Sequence, residues 1–252
     1  MNSENTPRDT PRDTPHGTAR RALLRGGMAG ALAVGGAALA TAPASASTPA
    51  TGPRTATRPG TVDEALRELA AGNRRWRTFC ERHPDETPAV RQSLTMGQHP
   101  FAVVLGCIDS RVPPELVFDQ GLGDLMTVRT AGEVLDEAVL GSVAYGVLEL
   151  GIPLVMVLGH QSCGAVKAAV QADLTGDELP AHIQYLADQI IPSIDRTKQG
   201  DARVDSTVDA NVRAVRARLA AVPDLAAKTS AGELAVVGAR YELTTQLVHT
   251  LA

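Results

Sequence analysis

Aromatic residues are scarce: three Phe, three Tyr and one Trp make up 3% of the 252 residues. A buried core must therefore come from Ala, Val, Leu and Ile. No basic excess exists either, since 24 Lys and Arg face 28 Asp and Glu for a net charge of −4. That argues against nucleic acid as a partner, which a clustered basic surface would serve. Cysteine is also sparse, and three thiols cannot form the even-numbered disulfide framework of a small secreted scaffold. Each thiol is left as reactive, metal-bound or simply buried. What remains, 44% hydrophobic and 21% charged, describes a soluble globular chain of one or two domains.

The N-terminus stands apart from that globular composition. Residues 1–19 are polar with a repeated Thr-Pro-Arg-Asp, and Arg20-Arg21-Ala22-Leu23-Leu24-Arg25 precedes a weakly apolar stretch, Gly26–Ala40. Small residues follow, with Ala44-Ser45-Ala46 in the A-x-A form of a cleavage site. Charged region, short apolar region and small-residue site are the order of an export signal over 1–46. The paired arginines resemble a twin-arginine signal, with Leu23 where such signals often place Phe. A membrane anchor is the alternative, but stable spanning takes about 20 strongly apolar residues, and this stretch is short and rich in Gly and Ala. Once the signal is cleaved, no stable membrane insertion is expected and the protein is exported, extracytoplasmic or secreted. Five arginines against three acids make 1–46 +2, so their loss takes the chain from −4 to −6. Residues 47–60 read as a flexible linker, and the folded unit as 61–252.

Within that unit strand and helix signals alternate. Thr61-Val62-Asp63-Glu64 has the capping-box form, and Val62, Leu66, Leu69 and Trp76 fall near helical spacing over 62–77. This helix covers either its own domain or a neighbouring subunit. Apolar runs at 101–106, 125–128, 154–158 and 234–237 suit buried strands. Helical signals fill 113–118, 134–150, 163–172, 181–191 and 205–219, the last with Val208, Val212, Val215 and Leu219 on one face. The fold class is α/β: a mostly parallel sheet of four to five strands flanked by helices, with an N-terminal helical arm.

Soft ligands gather where strands end. Cys107 follows the first buried strand, and His160-x-x-Cys163 follows the third at a helix start. In open α/β sheets ligands bind beyond the carboxyl ends of strands, so these residues meet if strands one and three are neighbours. The helix N-terminus would lower the Cys163 pKa. Two thiolates and an imidazole with an open fourth position match a catalytic Zn²⁺ site. A lone Cys after a strand is also a small buried hydrophobe. Asp109 and Arg111 lie near enough in sequence for a bidentate ion pair, either a structural bridge or a way to keep Asp109 ionised as an oriented acceptor. Unpaired, Asp109 would instead take the fourth metal position and close the site.

Cys107-Ile108-Asp109-Ser110-Arg111-Val112 together with Gly159-His160-Gln161-Ser162-Cys163-Gly164 resembles the β-class carbonic anhydrases. The likeness extends to Gly72–Trp76, Gly123-Asp124, Arg129–Gly132 and Val237–Leu243. Ile108 stands where Ser is common, and Glu133 where Asn often is. The resemblance implies reversible hydration of carbon dioxide to bicarbonate and a proton by a zinc-bound hydroxide. One Zn²⁺ per subunit would sit on Cys107, His160 and Cys163, with Asp109 and Arg111 as the catalytic dyad and Gln98 near the substrate. It also implies a homodimer or homotetramer, with the 62–77 helix laid across the partner. A neutral zinc–dithiolate site should acidify its water less than a three-histidine site, so turnover should rise toward alkaline pH.

Other motifs carry less. Cys80-x-x-His83 follows an amphipathic helix rather than a buried strand, and Gly121-x-Gly123 is too short for a dinucleotide fingerprint. His182 and His249 fall in helical stretches, and Arg213, Arg216 and Arg218 on a solvated helix face. Two alternatives stay open: hydrolysis of a carbon dioxide analogue such as carbonyl sulfide or carbon disulfide, and a non-catalytic zinc- or bicarbonate-binding protein.

Overall fold

The structure, a computed structural model, describes residues 58–252. The expected export signal and all but the last three residues of the linker lie outside the described residues. In chain order the elements are α1 (Val62–Arg77), α2 (Pro88–Ser93), β1 (Ala102–Gly106), α3 (Pro114–Val117), β2 (Leu125–Arg129), α4 (Glu137–Leu148) and β3 (Leu154–His160). There follow α5 (Gly164–Thr175), α6 (Ile183–Ile190), α7 (Gly200–Ala220), α8 (Pro223–Ser230), β4 (Ala235–Tyr241) and β5 (Val248–Leu251).

The strands form one five-stranded sheet in the order β2-β1-β3-β4-β5, parallel except for the antiparallel β5. Strands β1 and β3 are buried on both faces, which explains their uninterrupted apolar runs. Val103, Leu105, Val155 and Val157 face Val139, Val143 and Val147 of α4 and Val212, Val215 and Leu219 of α7. Val104, Leu154, Met156 and Leu158 face the other way, onto Ala65 and Leu69 of α1 and Val117 and Phe118 beside α3. A third cluster joins Cys107 and Cys163 to Val166 and Ala169 of α5, Ala187 and Ile190 of α6 and Val204 and Val208 of α7. It roofs the carboxyl ends of β1 and β3.

Helix α1 forms behind the expected capping box, with Thr61 Oγ1 accepting from the Glu64 N–H and Glu64 Oε2 accepting from the Thr61 N–H. It lies on its own sheet, one of the two surfaces its periodicity allowed. Its apolar stripe matches the surface left open beside α3, and Gly72 lets the two backbones close up. A Cβ there would stand 1.7 Å from the Phe118 carbonyl oxygen. Asn73 completes the seam, donating to the Val117 and Gln246 carbonyls and accepting from the Val248 N–H. The expectation for His249 is corrected: it lies on β5, not in a helix, because Val248–Leu251 pairs with the end of β4.

Candidate metal centre

Parallel pairing of β1 with β3 sets Gly106 opposite Leu158, which brings the residues after each strand to one edge. Cys107 leaves β1 there, His160 ends β3, and Cys163 caps the start of α5. Between the two ligands Ser162 adopts a left-handed backbone, φ 56°, turning strand into helix within three residues. The donor atoms of Cys107, His160 and Cys163 all lie within 4.8 Å of one another, and all three residues are buried.

These donors fit a tetrahedral ion. The two sulfurs are 3.9 Å apart, against about 3.8 Å for the edge of a tetrahedron with Zn–S bonds of 2.3 Å. His160 Nδ1 lies 2.9 Å from the Gln161 carbonyl, an acceptor only, so Nδ1 donates and Nε2 keeps its lone pair. That Nε2 is buried and makes no hydrogen bond. An orphaned imidazole nitrogen beside two thiols is what a metal would satisfy. The thiols themselves are primed unequally. The contact with Cys163 lowers the Cys107 thiol to about 4, with help from His160 and the N–H groups of Gly132 and Asp109. Cys163 is raised by that same contact and by burial. The sequence placed the lowered thiol at the helix-capping Cys163, and the structure moves it to Cys107.

Asp109 lies just outside the donor cluster, its Oδ2 3.8 Å from His160 Nε2. Both of its oxygens are held by Arg111: Oδ1 accepts from Nε at 2.9 Å and from the backbone N–H at 3.0 Å, and Oδ2 accepts from Nη2 at 2.7 Å. Hydrogen bonding to Arg111 keeps this carboxyl well below the usual carboxylate range. In this arrangement Asp109 belongs to Arg111 and not to the metal position. Gln98 is not brought to the site. It precedes β1 at the amino edge of the sheet, where neighbouring His99 is bonded through its carbonyl to Arg58, itself 3.5 Å from Asp124. The five residues of β1 separate that edge from Cys107. Cys80 is exposed and stands outside the donor cluster.

Other contributors were given no site role by the sequence. Arg129, at the end of β2, donates from Nε to the Cys107 carbonyl at 2.8 Å and from Nη2 to the Asp109 carbonyl at 2.7 Å, clasping the loop that carries both residues. Its sequence signal was its place in the Arg129–Gly132 stretch of the family likeness, which gave it no role. Glu133 is buried at 2% exposure with φ 53°, its carboxyl pushed up by burial and then by the nearby Cys107. Asn211 of α7 bonds to that carboxyl and donates to the Gly132 carbonyl at 2.8 Å. Gly132 in turn gives its N–H to the Cys107 sulfur, so α7 braces the ligand through this kink.

Beside the metal centre opens a cavity of about 390 Å³, with Cys107, Ile108 and Asp109 at one end and Leu179, Ile183 and Leu186 along its wall. Metal, acceptor and apolar space thus meet at one point.

The chain is similar to known proteins. A family model described as carbonic anhydrase matches residues 102–248. Carbonic anhydrase 2 of Mycobacterium tuberculosis is 41% identical over 184 residues, covering 71% of this chain and 87% of its own. The carbonic anhydrase of Mycolicibacterium smegmatis is 44% identical over 181 residues, 71% of this chain and 88% of its own. Among solved structures, the Coccomyxa β-carbonic anhydrase in complex with acetazolamide superposes with a TM-score of 0.56 at 27% identity, covering 74% of this chain and 86% of that one. A tetrameric β-carbonic anhydrase of Sordaria macrospora shares the fold with a TM-score of 0.59 at 20% identity, over 74% and 96% of the two chains. On the residues that meet at the ends of β1 and β3, and on these likenesses, the chain belongs to the β-carbonic anhydrase family.

Proposed function

We infer that the chain catalyses the reversible hydration of carbon dioxide to bicarbonate and a proton, as a zinc-dependent carbonate dehydratase. The observation that carries this is the buried Cys107–His160–Cys163 donor set, with its unpartnered His160 Nε2, beside a carboxylate that Arg111 holds ionised. Zinc bound by these three residues would supply a Lewis acid that acidifies water and makes it a nucleophile. The protein groups do the rest. Asp109, whose oxygens can only accept while it is ionised, accepts a hydrogen bond from the reacting water and fixes the direction of the remaining lone pair. Arg111 fixes Asp109 and is the cation nearest the point where bicarbonate acquires its charge. Ile108 and Ala131 present apolar surface to the uncharged substrate. His160 is locked in its ligating tautomer by the Gln161 carbonyl.

The test is stopped-flow carbon dioxide hydration with zinc quantitation. One zinc per chain is expected. Asp109→Asn and Arg111→Ala should each lower turnover by about 100-fold or more while leaving zinc bound. Full turnover in either variant would make the centre a structural or sensing zinc site.

The working form is a homo-oligomer in this reading. Support comes from the tetrameric Sordaria relative, from exposed Tyr145 and Leu148 on α4, and from the position of Gln98, whose side chain can serve a substrate only in another copy's cavity. Export is supported by Arg20-Arg21, the weakly apolar stretch and Ala44-Ser45-Ala46. Among the described residues no helix is long and apolar enough to cross a membrane. Mass spectrometry of the protein outside the cytoplasm should find a new N-terminus near residue 47, and Arg20→Lys with Arg21→Lys should retain the uncleaved chain inside.

A further inference from the structure

Gln161 follows the metal ligand His160 and makes hydrogen bonds in three directions. Its carbonyl accepts from His160 Nδ1 at 2.9 Å. Its backbone N–H donates to the Tyr241 carbonyl at 2.9 Å, carrying the β3–β4 ladder one residue past the end of β3. Its side-chain Oε1 accepts from the Thr244 N–H at 3.1 Å, in the turn between β4 and β5, 83 residues away in sequence. That turn is a firm abutment. Glu242 donates its N–H to the Leu247 carbonyl at 2.8 Å, and Gln246 donates to the Glu242 carbonyl at 2.7 Å, closing the turn at its base. Arg77 of α1 donates from Nε to the Thr245 carbonyl at 3.3 Å.

The loop so braced is under load. Ser162, at φ 56°, lies in the left-handed region that a residue with a Cβ enters at a cost, and such a backbone persists only where its surroundings over-determine it. The peptide unit between Gln161 and Ser162 is rigid. Rotating it would relieve Ser162 and, in the same motion, turn the Gln161 carbonyl away from Nδ1. The imidazole would then lose the partner that fixes its tautomer. We propose that Gln161 is a positioning residue for His160. Its side chain, tied to the β4–β5 turn, holds the loop so that its own carbonyl keeps the proton on Nδ1 and leaves Nε2 to the metal. This rests on the zinc reading of the centre. Thr244 is exposed, so water takes the place of the acceptor when the side chain is removed. The fold therefore loses little, and the effect falls on the ligand.

The test compares Gln161→Leu, which keeps the bulk and loses the acceptor, with Gln161→Glu, which keeps an oxygen for the Thr244 N–H. From the full-length zinc-loaded protein, zinc release to excess chelator should be about fivefold faster in Gln161→Leu, the equivalent of one net hydrogen bond, and within about twofold of wild type in Gln161→Glu. Urea unfolding of the zinc-free proteins should give all three the same midpoint. A second readout lies away from the metal. Where the Thr244 tie helps to hold zinc, zinc must help to hold the tie. The Thr244 amide should therefore exchange with deuterium more slowly in zinc-loaded than in zinc-free wild type, and at one rate in both forms of Gln161→Leu. Wild-type zinc release from Gln161→Leu, or equally fast release from both variants, would overturn the proposal, as would a Thr244 amide indifferent to zinc in the wild type. A lower urea midpoint for zinc-free Gln161→Leu would make Gln161 a structural residue and overturn it too. Failure of the wild-type chain to bind zinc would bring down the underlying reading instead.

Discussion

Two carboxyl groups are tuned in opposite directions by their neighbours. Arg111 holds Asp109 ionised through three hydrogen bonds, so no part of the pH profile above pH 5 should come from this group. The rise in turnover toward alkaline pH should belong to the metal centre itself. Asp124 is the opposite case: burial, with Asp85 nearby, pushes its carboxyl up to about 6 against the pull of the Gly121 N–H and Arg58. A raised carboxyl favours the fold in its neutral form. Its contribution is complete below the unfolded value of about 3.9 and is lost as pH climbs through about 6. Asp124→Asn keeps an acceptor for the Gly121 N–H and removes the titration. Urea unfolding should find the variant close to wild type at pH 4 and more stable by about 2 kcal/mol at pH 7. At this scale the sequence made the three ligands and Asp109 legible, because each sits within three residues of a strand end with chemistry no core position needs. The roles of Arg129 and Asn211 were hidden because they act mainly on the backbone carbonyls of Cys107, Asp109 and Gly132, which leave no mark in residue type.

Elements repeat the contrast. The runs at β1 and β3 announced themselves because strands covered on both faces carry no polar alternation. Strand β5 did not, since four residues with His249 and Thr250 in the middle become a strand only by pairing with Arg240 and Ala239. Helix α8 was missed as well, a short turn opened by Pro223 whose single buried residue is Leu225. The destination of α1 was equally unreadable: its periodicity gave an apolar face but not the surface that face meets. Gly72 decides it, and the consequence is measurable. Gly72→Ala would force the α1 and α3 backbones apart and should cost about 3 kcal/mol, a drop of roughly 6–12 °C in Tm for a domain of this size. Zinc per folded chain should be unchanged, because α1 meets the opposite face of the sheet from α5, α6 and the ligands.

For the whole molecule, reaction and fold share one edge of the sheet. The clasp of Arg129 on the Cys107–Asp109 loop ties β2 to the centre, so Arg129→Lys, which keeps the charge but loses the two-pronged grip, should reduce turnover about tenfold and weaken zinc retention against a chelator. The ligands themselves come from segments 56 residues apart in sequence. Joining them makes the metal a cross-link between the β1 and β3 halves of the chain, comparable to a reducible bond between Cys107 and Cys163 but released by chelation instead. At a free zinc concentration about 1,000-fold above Kd the link adds about 4 kcal/mol, so a chelator should lower Tm by roughly 8–16 °C. Folding and loading then become a single event: a chain that crosses a membrane already folded carries its metal with it, and one that crosses unfolded must find zinc on the far side before its thiols find each other.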